Sequence, residues 1–178
     1  MKRAYIIALA LLLLASIPFP VTGQAEELLT SGDFRYRILE NGSAEIAWYD
    51  GEAESLEVPD SLDGLAVAGI GNRAFSFCRS LSDITLPDGV VSIGDNAFSN
   101  CSGLSEIILP CNLMSIGDNP FRDCANLNQV VVRPDHPALA TIDGVLFSKA
   151  DKRLVWYSMA REDAPYEVPQ GILSIGDD

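Results

Sequence analysis

Hydrophobic and polar positions follow two rhythms in this chain. An uncharged apolar run fills residues 4–17. Beyond residue 55 the apolar positions return at a much longer interval. The pair Ile-Gly stands at Ile70-Gly71, Ile93-Gly94 and Ile116-Gly117, two steps of 23 residues, and again at Ile175-Gly176. Phenylalanine follows at Phe75, Phe98 and Phe121, cysteine at Cys78, Cys101 and Cys124, and leucine at Leu81, Leu104 and Leu127. Each leucine leads into a short alternation, Ile84/Leu86, Ile107/Leu109 and Val130/Val132, closed by Pro87, Pro110 and Pro134. Registered self-similarity at this period is the mark of a repeat architecture.

Elementary geometry converts the repeat into elements. Leu-x-x-Ile-x-Leu puts its last two apolar residues on one face of a short strand, because strand side chains alternate. A proline cannot donate to a ladder, so the strand stops there. The rest of each unit brings the chain back as irregular or short helical turns. Gly71, Gly94 and Gly117 fall where φ is positive or where backbones approach closely. One unit cannot bury its own Leu, Ile, Phe and Cys, whereas stacked units can. The expected fold is an α/β repeat: a solenoid of about 23-residue coils with a short-stranded parallel sheet on one side. Residues 34–49 alternate weakly around Asn41-Gly42, a two-residue hairpin signal, and a hairpin there would cover the first edge of the stack. A second hairpin is expected in the irregular insert 134–167, pairing residues 144–148 with 153–157 around Lys149 to Lys152, with Phe147, Trp156 and Tyr157 as apolar cover.

The apolar run has a separate meaning. Lys2 and Arg3 precede it, Pro18 and Pro20 end it, and Gly23-Gln24-Ala25 offers the small-x-small pattern of a cleavage site. About 14 residues is short for a bilayer span, which needs roughly 20. Residues 1–25 therefore read as a signal peptide, with an uncleaved anchor as the alternative, and residues 26–57 as linker and hairpin cap. Residues 58–178 form the solenoid. The chain ends at Asp177-Asp178 where the repeat would continue, which suggests a chain cut in mid-repeat, with possible further repeats beyond.

Charge and composition then narrow the function. Twelve basic against 25 acidic residues give a net charge of −13. Such a chain lacks the cations that phosphate backbones and anionic membranes require, so neither nucleic acid nor membrane insertion is expected. A single histidine, His136, is the one base available to a Ser-His or Cys-His pair and removes most zinc sites.

The repeat resembles the BspA-type, or treponemal-type, leucine-rich repeat, written Cys-x-x-Leu-x-x-Ile-x-Leu-Pro-x-x-Val-x-x-Ile-Gly-x-x-Ala-Phe-x-x. Cys78 to Phe98 and Cys101 to Phe121 match it; Val58 to Phe75 and Val168 to Gly176 are partial copies. The resemblance covers roughly residues 33–178 and implies an exported or surface-displayed bacterial protein, acting in adhesion or in binding host proteins, whose repeats carry no catalytic residues.

Candidate sites are correspondingly few. Three of the four cysteines share one repeat position, which favours a buried ladder of free thiols over disulfides, with Cys111 a more exposed odd thiol. Asp95-Asn96 and Asp118-Asn119 read as turn formers, with calcium as a weaker alternative because each coil offers few carboxylates. No cofactor or metal is expected. The strongest candidate surface is the outward side of the strands. Asp83, Glu106 and Gln129 form one row; Glu57, Thr85, Ile108 and Val131 form the next. Apolar Ile108 and Val131 beside acidic residues look like an interaction surface, although β-branched residues also simply suit strands. The expected function is a non-catalytic, secreted or cell-surface module binding a protein or cell-surface ligand of host or bacterial origin. The alternatives are a targeting or scaffold segment of a larger exported enzyme and a self-assembling surface-layer component.

Overall fold

A computed structural model describes residues 28–158 and 166–176; the leader read at residues 1–25 and the terminal Asp177-Asp178 lie outside them. No helix occurs among the described residues: of the irregular or short helical returns expected, the irregular kind forms, and the solenoid of repeated coils is built from strands without the α part of the α/β label. The chain opens with β1 (Leu29–Ser31), β2 (Phe34–Ile38), β3 (Ala44–Tyr49), β4 (Ser55–Glu57), β5 (Ser61–Leu62) and β6 (Leu65–Ile70). The regular coils supply β7 (Asp83–Thr85), β8 (Ser92–Ile93), β9 (Glu106–Ile108), β10 (Ser115–Ile116) and β11 (Gln129–Val131). The insert and its sequel hold β12 (Leu139–Ile142), β13 (Val145–Ser148), β14 (Arg153–Trp156) and β15 (Ser174–Ile175).

Each coil contributes to two parallel ladders, where a single sheet is expected from the sequence. The first contains the anticipated strands: β4 pairs with β7, β9 with β11, and β7 lies beside β9. The second is built from the Ser-Ile pairs before each glycine, with β6, β8 and β10 in register through Ile70, Ile93 and Ile116. Between the ladders the irregular return is itself bonded from coil to coil. Phe75 N–H donates to Ala97 O at 2.8 Å, Phe77 to Ser99 at 2.8 Å, Phe98 to Pro120 at 2.8 Å and Asn100 to Arg122 at 2.7 Å. Buried backbone groups demand such partners, so a helix is unnecessary for the return.

The repeated apolar residues stack as columns. Phe75, Phe98 and Phe121 are buried, with ring centroids 5.3 and 5.7 Å apart and nearly parallel planes. The column runs on through Tyr49 to Phe34 at one end and to Trp156, edge-on at 6.3 Å, at the other. Leu81, Leu104 and Leu127 lie beside it, each at most 1% exposed.

Gly94 and Gly117 hold the coils at their spacing. Neither has positive φ; a Cβ on Gly94 would stand 2.6 Å from Asn72 N and 2.8 Å from Gly71 C, and on Gly117 2.6 Å from Asp95 N. Close approach is thus the reason for glycine, and the positive-φ option is discarded. The left-handed corners fall elsewhere, at Arg73, Asn96 and Asn119 and at Phe77, Asn100 and Asp123. Next to the glycines, Asp95 N–H donates to Asn72 Oδ1 and Asp118 N–H to Asp95 Oδ1, both at 2.8 Å. These side chains therefore serve backbone groups of the following coil.

The N-terminal hairpin forms, and β3 joins β6 in parallel, so it extends the second ladder. Its turn is not the expected two-residue type. Leu39 N–H donates to Ser43 O, enclosing Glu40, Asn41 and Gly42, and of these only Gly42 has positive φ. A two-residue I′ turn needs positive φ at both central positions; Asn41 instead accepts the Ser43 N–H at 3.0 Å. The insert also exceeds expectation. β13 and β14 pair as read, but β12 adds a third antiparallel strand through Asp143-Gly144, and β15 pairs in parallel with β14. Phe147 and Trp156 are buried, while Tyr157 is half-buried. Arg153 joins the insert to the regular coils. Its guanidinium donates to Ile116 O at 2.7 Å, Gly117 O at 3.3 Å and Asp118 Oδ1 at 2.6 Å.

Candidate functional site

The first ladder places the candidate residues by simple alternation. Ile84, Ile107 and Val130 point into the core, so their neighbours point out. Register puts Ser55 beside Asp83 and Glu106 beside Gln129 in one row, with Glu57 beside Thr85 and Ile108 beside Val131 in the next. Glu57, Asp83, Thr85, Glu106, Ile108 and Gln129 are exposed; Val131 is half-buried. Ile108 shows 61% of its surface and is the dominant apolar feature of the face.

The surface is not flat. A groove of about 770 Å³ follows the ends of β7 and β9 and includes Asp83, Thr85, Glu106 and Ile108. Asp88, Cys111 and Arg133, which lie outside the two rows, also line it. Arg133 was legible: it occupies the repeat position of Pro87 and Pro110, because the third proline comes one residue late. Its nearest carboxylate is Asp135, 3.5 Å away. The groove is thus acidic near Asp83 and Glu106 and basic at Arg133.

The remaining chemical groups serve the fold. His136 takes the core position that Val90 and Leu113 hold in the preceding coils, and it is 2% exposed. Its Nδ1 accepts the N–H groups of Ala138 and Leu139 at 3.2 and 3.0 Å, which leaves Nε2 protonated and donating to Pro110 O at 3.1 Å. Both ring nitrogens are therefore engaged by backbone. The cysteines are free thiols. Cys101 and Cys124 are buried and donate to Phe75 O and Phe98 O, each at 3.0 Å. Cys78 and Cys111 are both half-buried, so the ladder is less uniformly buried and Cys111 less distinct than expected. The neighbouring Cys101 thiol lowers Cys78 and Cys124; Cys124 and Cys78 together, and then burial, push Cys101 up. Among the described residues no group of three or more His, Cys, Asp or Glu side chains is placed to hold a metal. No described helix is long and apolar enough to cross a membrane.

Comparison with known proteins decides the family. The model for the BspA type leucine rich repeat region matches six copies across residues 45–154, more than half of the chain. The chain belongs to this family. It is similar to the pneumococcal vaccine antigen PcpA, at 32% identity and a TM-score of 0.64 over 74% of this chain and 32% of that one. The chain thus spans about a third of that antigen's length. A leucine rich cell surface protein from Faecalibacterium prausnitzii is similar at 18% identity and a TM-score of 0.49, over 84% of this chain and 66% of that one. A leucine-rich repeat protein from Bacteroides capillosus is similar at 26% identity and a TM-score of 0.46, over 60% and 98% respectively. No curated protein matches the chain.

Proposed function

We propose that this chain is a non-catalytic, exported or cell-surface module that binds a protein ligand and so serves adhesion, using the outward face of its first strand ladder. The observation that carries the reading is Ile108, 61% exposed beside the row of Asp83 and Glu106 and bordering the groove. An apolar anchor inside a charged rim is the usual anatomy of a recognition surface. Covering Ile108 with a partner contributes about 1–2 kcal/mol from apolar area alone. The acidic rim speeds encounter with basic partners. Export is supported by the charged, apolar and small-residue sequence of residues 1–25 and by the similarity to a pneumococcal vaccine antigen at 32% identity.

Ile108→Glu and Val131→Glu test the reading. Ile108→Glu alters an exposed side chain and changes stability by no more than about 0.5 kcal/mol. Binding to immobilised extracellular-matrix proteins and to whole bacterial cells is measured by surface plasmon resonance and by pelleting. Loss of about tenfold in affinity is expected. If both variants bind every ligand of the parent chain unchanged, this face is not the site.

A further inference from the structure

The corner residues of the return carry a second, separate surface. Asn and Asp enter the left-handed region easily, whereas a bulky aromatic there is an outlier. Two of the three corners in one column obey this, Asn100 and Asp123; the third is Phe77, at φ 66° and 59% exposed. No burial repays that backbone strain, and surface strain without a packing reason points to function.

The neighbouring side chains make a site around it. Arg73 and Phe77 stand on one coil and Arg122 two coils on, while the coil between presents only Asn96 and Asn100 at these corners. Together with Ser99 and the carboxylate of Asp123 they border a shallow depression of about 390 Å³. The Arg79 guanidinium lies 5.9 Å from the Phe77 ring centroid. Charge is arranged unusually too. Arg35, Arg37, Arg133 and Arg153 each pair with a carboxylate, whereas Arg73 and Arg79 have none within 4 Å among the described residues. Arg122 has Asp123 at 3.6 Å, with both side chains more than half exposed. In a chain of net charge −13, this is a local excess of cations around one carboxylate, Asp123, with an aromatic wall and two amides.

We propose that this depression binds a carboxylated sugar residue of an acidic glycan. Arg73 and Arg122 receive the carboxylate, for which the guanidinium fork is matched. The Asn96 and Asn100 amides, donor and acceptor at once, meet the hydroxyls. The Phe77 ring packs on the apolar C–H face of the sugar. The volume suits a small ligand. The depression shares no residue with the strand-face groove, so the two assignments stand or fall separately.

The test titrates the chain with hyaluronan tetrasaccharide and with 3′-sialyllactose by calorimetry, using cellotetraose and a poly-glutamate peptide as comparators. Saturable binding to at least one acidic sugar is expected, about tenfold or more tighter than to either comparator. Phe77→Asn installs the corner residue of the next coil. It is expected to raise the thermal unfolding midpoint and to weaken the acidic sugar about tenfold. Arg73→Gln with Arg122→Gln should abolish the preference over cellotetraose. The proposal is overturned by absence of saturable binding to both acidic sugars. Equal binding of poly-glutamate, which would make this a peptide or general anion surface, overturns it too, as does a Phe77→Asn variant of unchanged affinity.

Discussion

Replacing Gly94 by alanine tests whether contact between coils, rather than backbone freedom, explains the glycine column. The added Cβ would lie 2.3 Å from Asn72 Oδ1, 2.6 Å from Asn72 N and 2.8 Å from Gly71 C. Two of these are backbone atoms and cannot rotate away. The coils must separate locally, which costs about 1–3 kcal/mol as overpacking. Separation also breaks the Asp95 N–H bond to Asn72, about 1 kcal/mol more. Reduced freedom of the unfolded chain returns roughly 0.5 kcal/mol. A net loss of about 1.5–3.5 kcal/mol is expected, read as a fall of roughly 1 M in the urea midpoint followed by circular dichroism. Gly69→Ala is the control. Its Cβ would meet Glu45 Cγ and Ser92 Oγ at 3.0 Å, side-chain atoms that can yield, so the loss should stay below about 1 kcal/mol. Equal midpoint shifts for the two variants would refute the reasoning.

Two further outcomes follow from the ends of the stack. Tyr36 donates to Asp63 at 2.9 Å and is pushed up to about 12, first by burial and then by that hydrogen bond. An unfolded tyrosine titrates near 10, so between these values the folded chain keeps a proton that the unfolded chain loses. Stability is therefore full below about pH 10 and falls as pH rises through about 12; Tyr36→Phe should show a smaller drop in unfolding midpoint between about pH 9 and 11.5, and an unchanged drop would contradict the assignment. Arg153→Ala removes three contacts to Ile116, Gly117 and Asp118 from a side chain only 13% exposed. A loss of about 3 kcal/mol is expected, with faster amide exchange at Ser115–Asp118 and no change in the N-terminal hairpin; a loss under about 1 kcal/mol would show that the insert docks without it.

The columns of Phe, Leu and Ile were legible because registered spacing is all that a stack requires. Alternation placed both rows of the strand face, since one buried isoleucine per strand sets the direction of its neighbours. The second ladder was not legible: two residues such as Ser92-Ile93 are too short to show a strand period. Asp63-Gly64 and Asp143-Gly144 are readable hairpin turns that the dominant repeat overshadowed. The Arg153 contacts join residues 35 to 37 positions apart, and nothing in local pattern announces such a pairing. The cationic corner needed coordinates as well, because Phe77 declares itself through an unusual φ and through neighbours two coils away.

The insert has a consequence for how such chains diversify. Its three strands leave the 23-residue beat at Pro134, yet β14 lies level with the Ile116 coil and gives β15 the same lateral edge that β10 receives from β8. A non-periodic passage thus ends the ladder at β10 and opens a new sheet, in which β14 again offers a parallel edge to the coil that follows. Novel sequence can enter this scaffold through such detours, while growth of the spiral itself is restricted to whole coils.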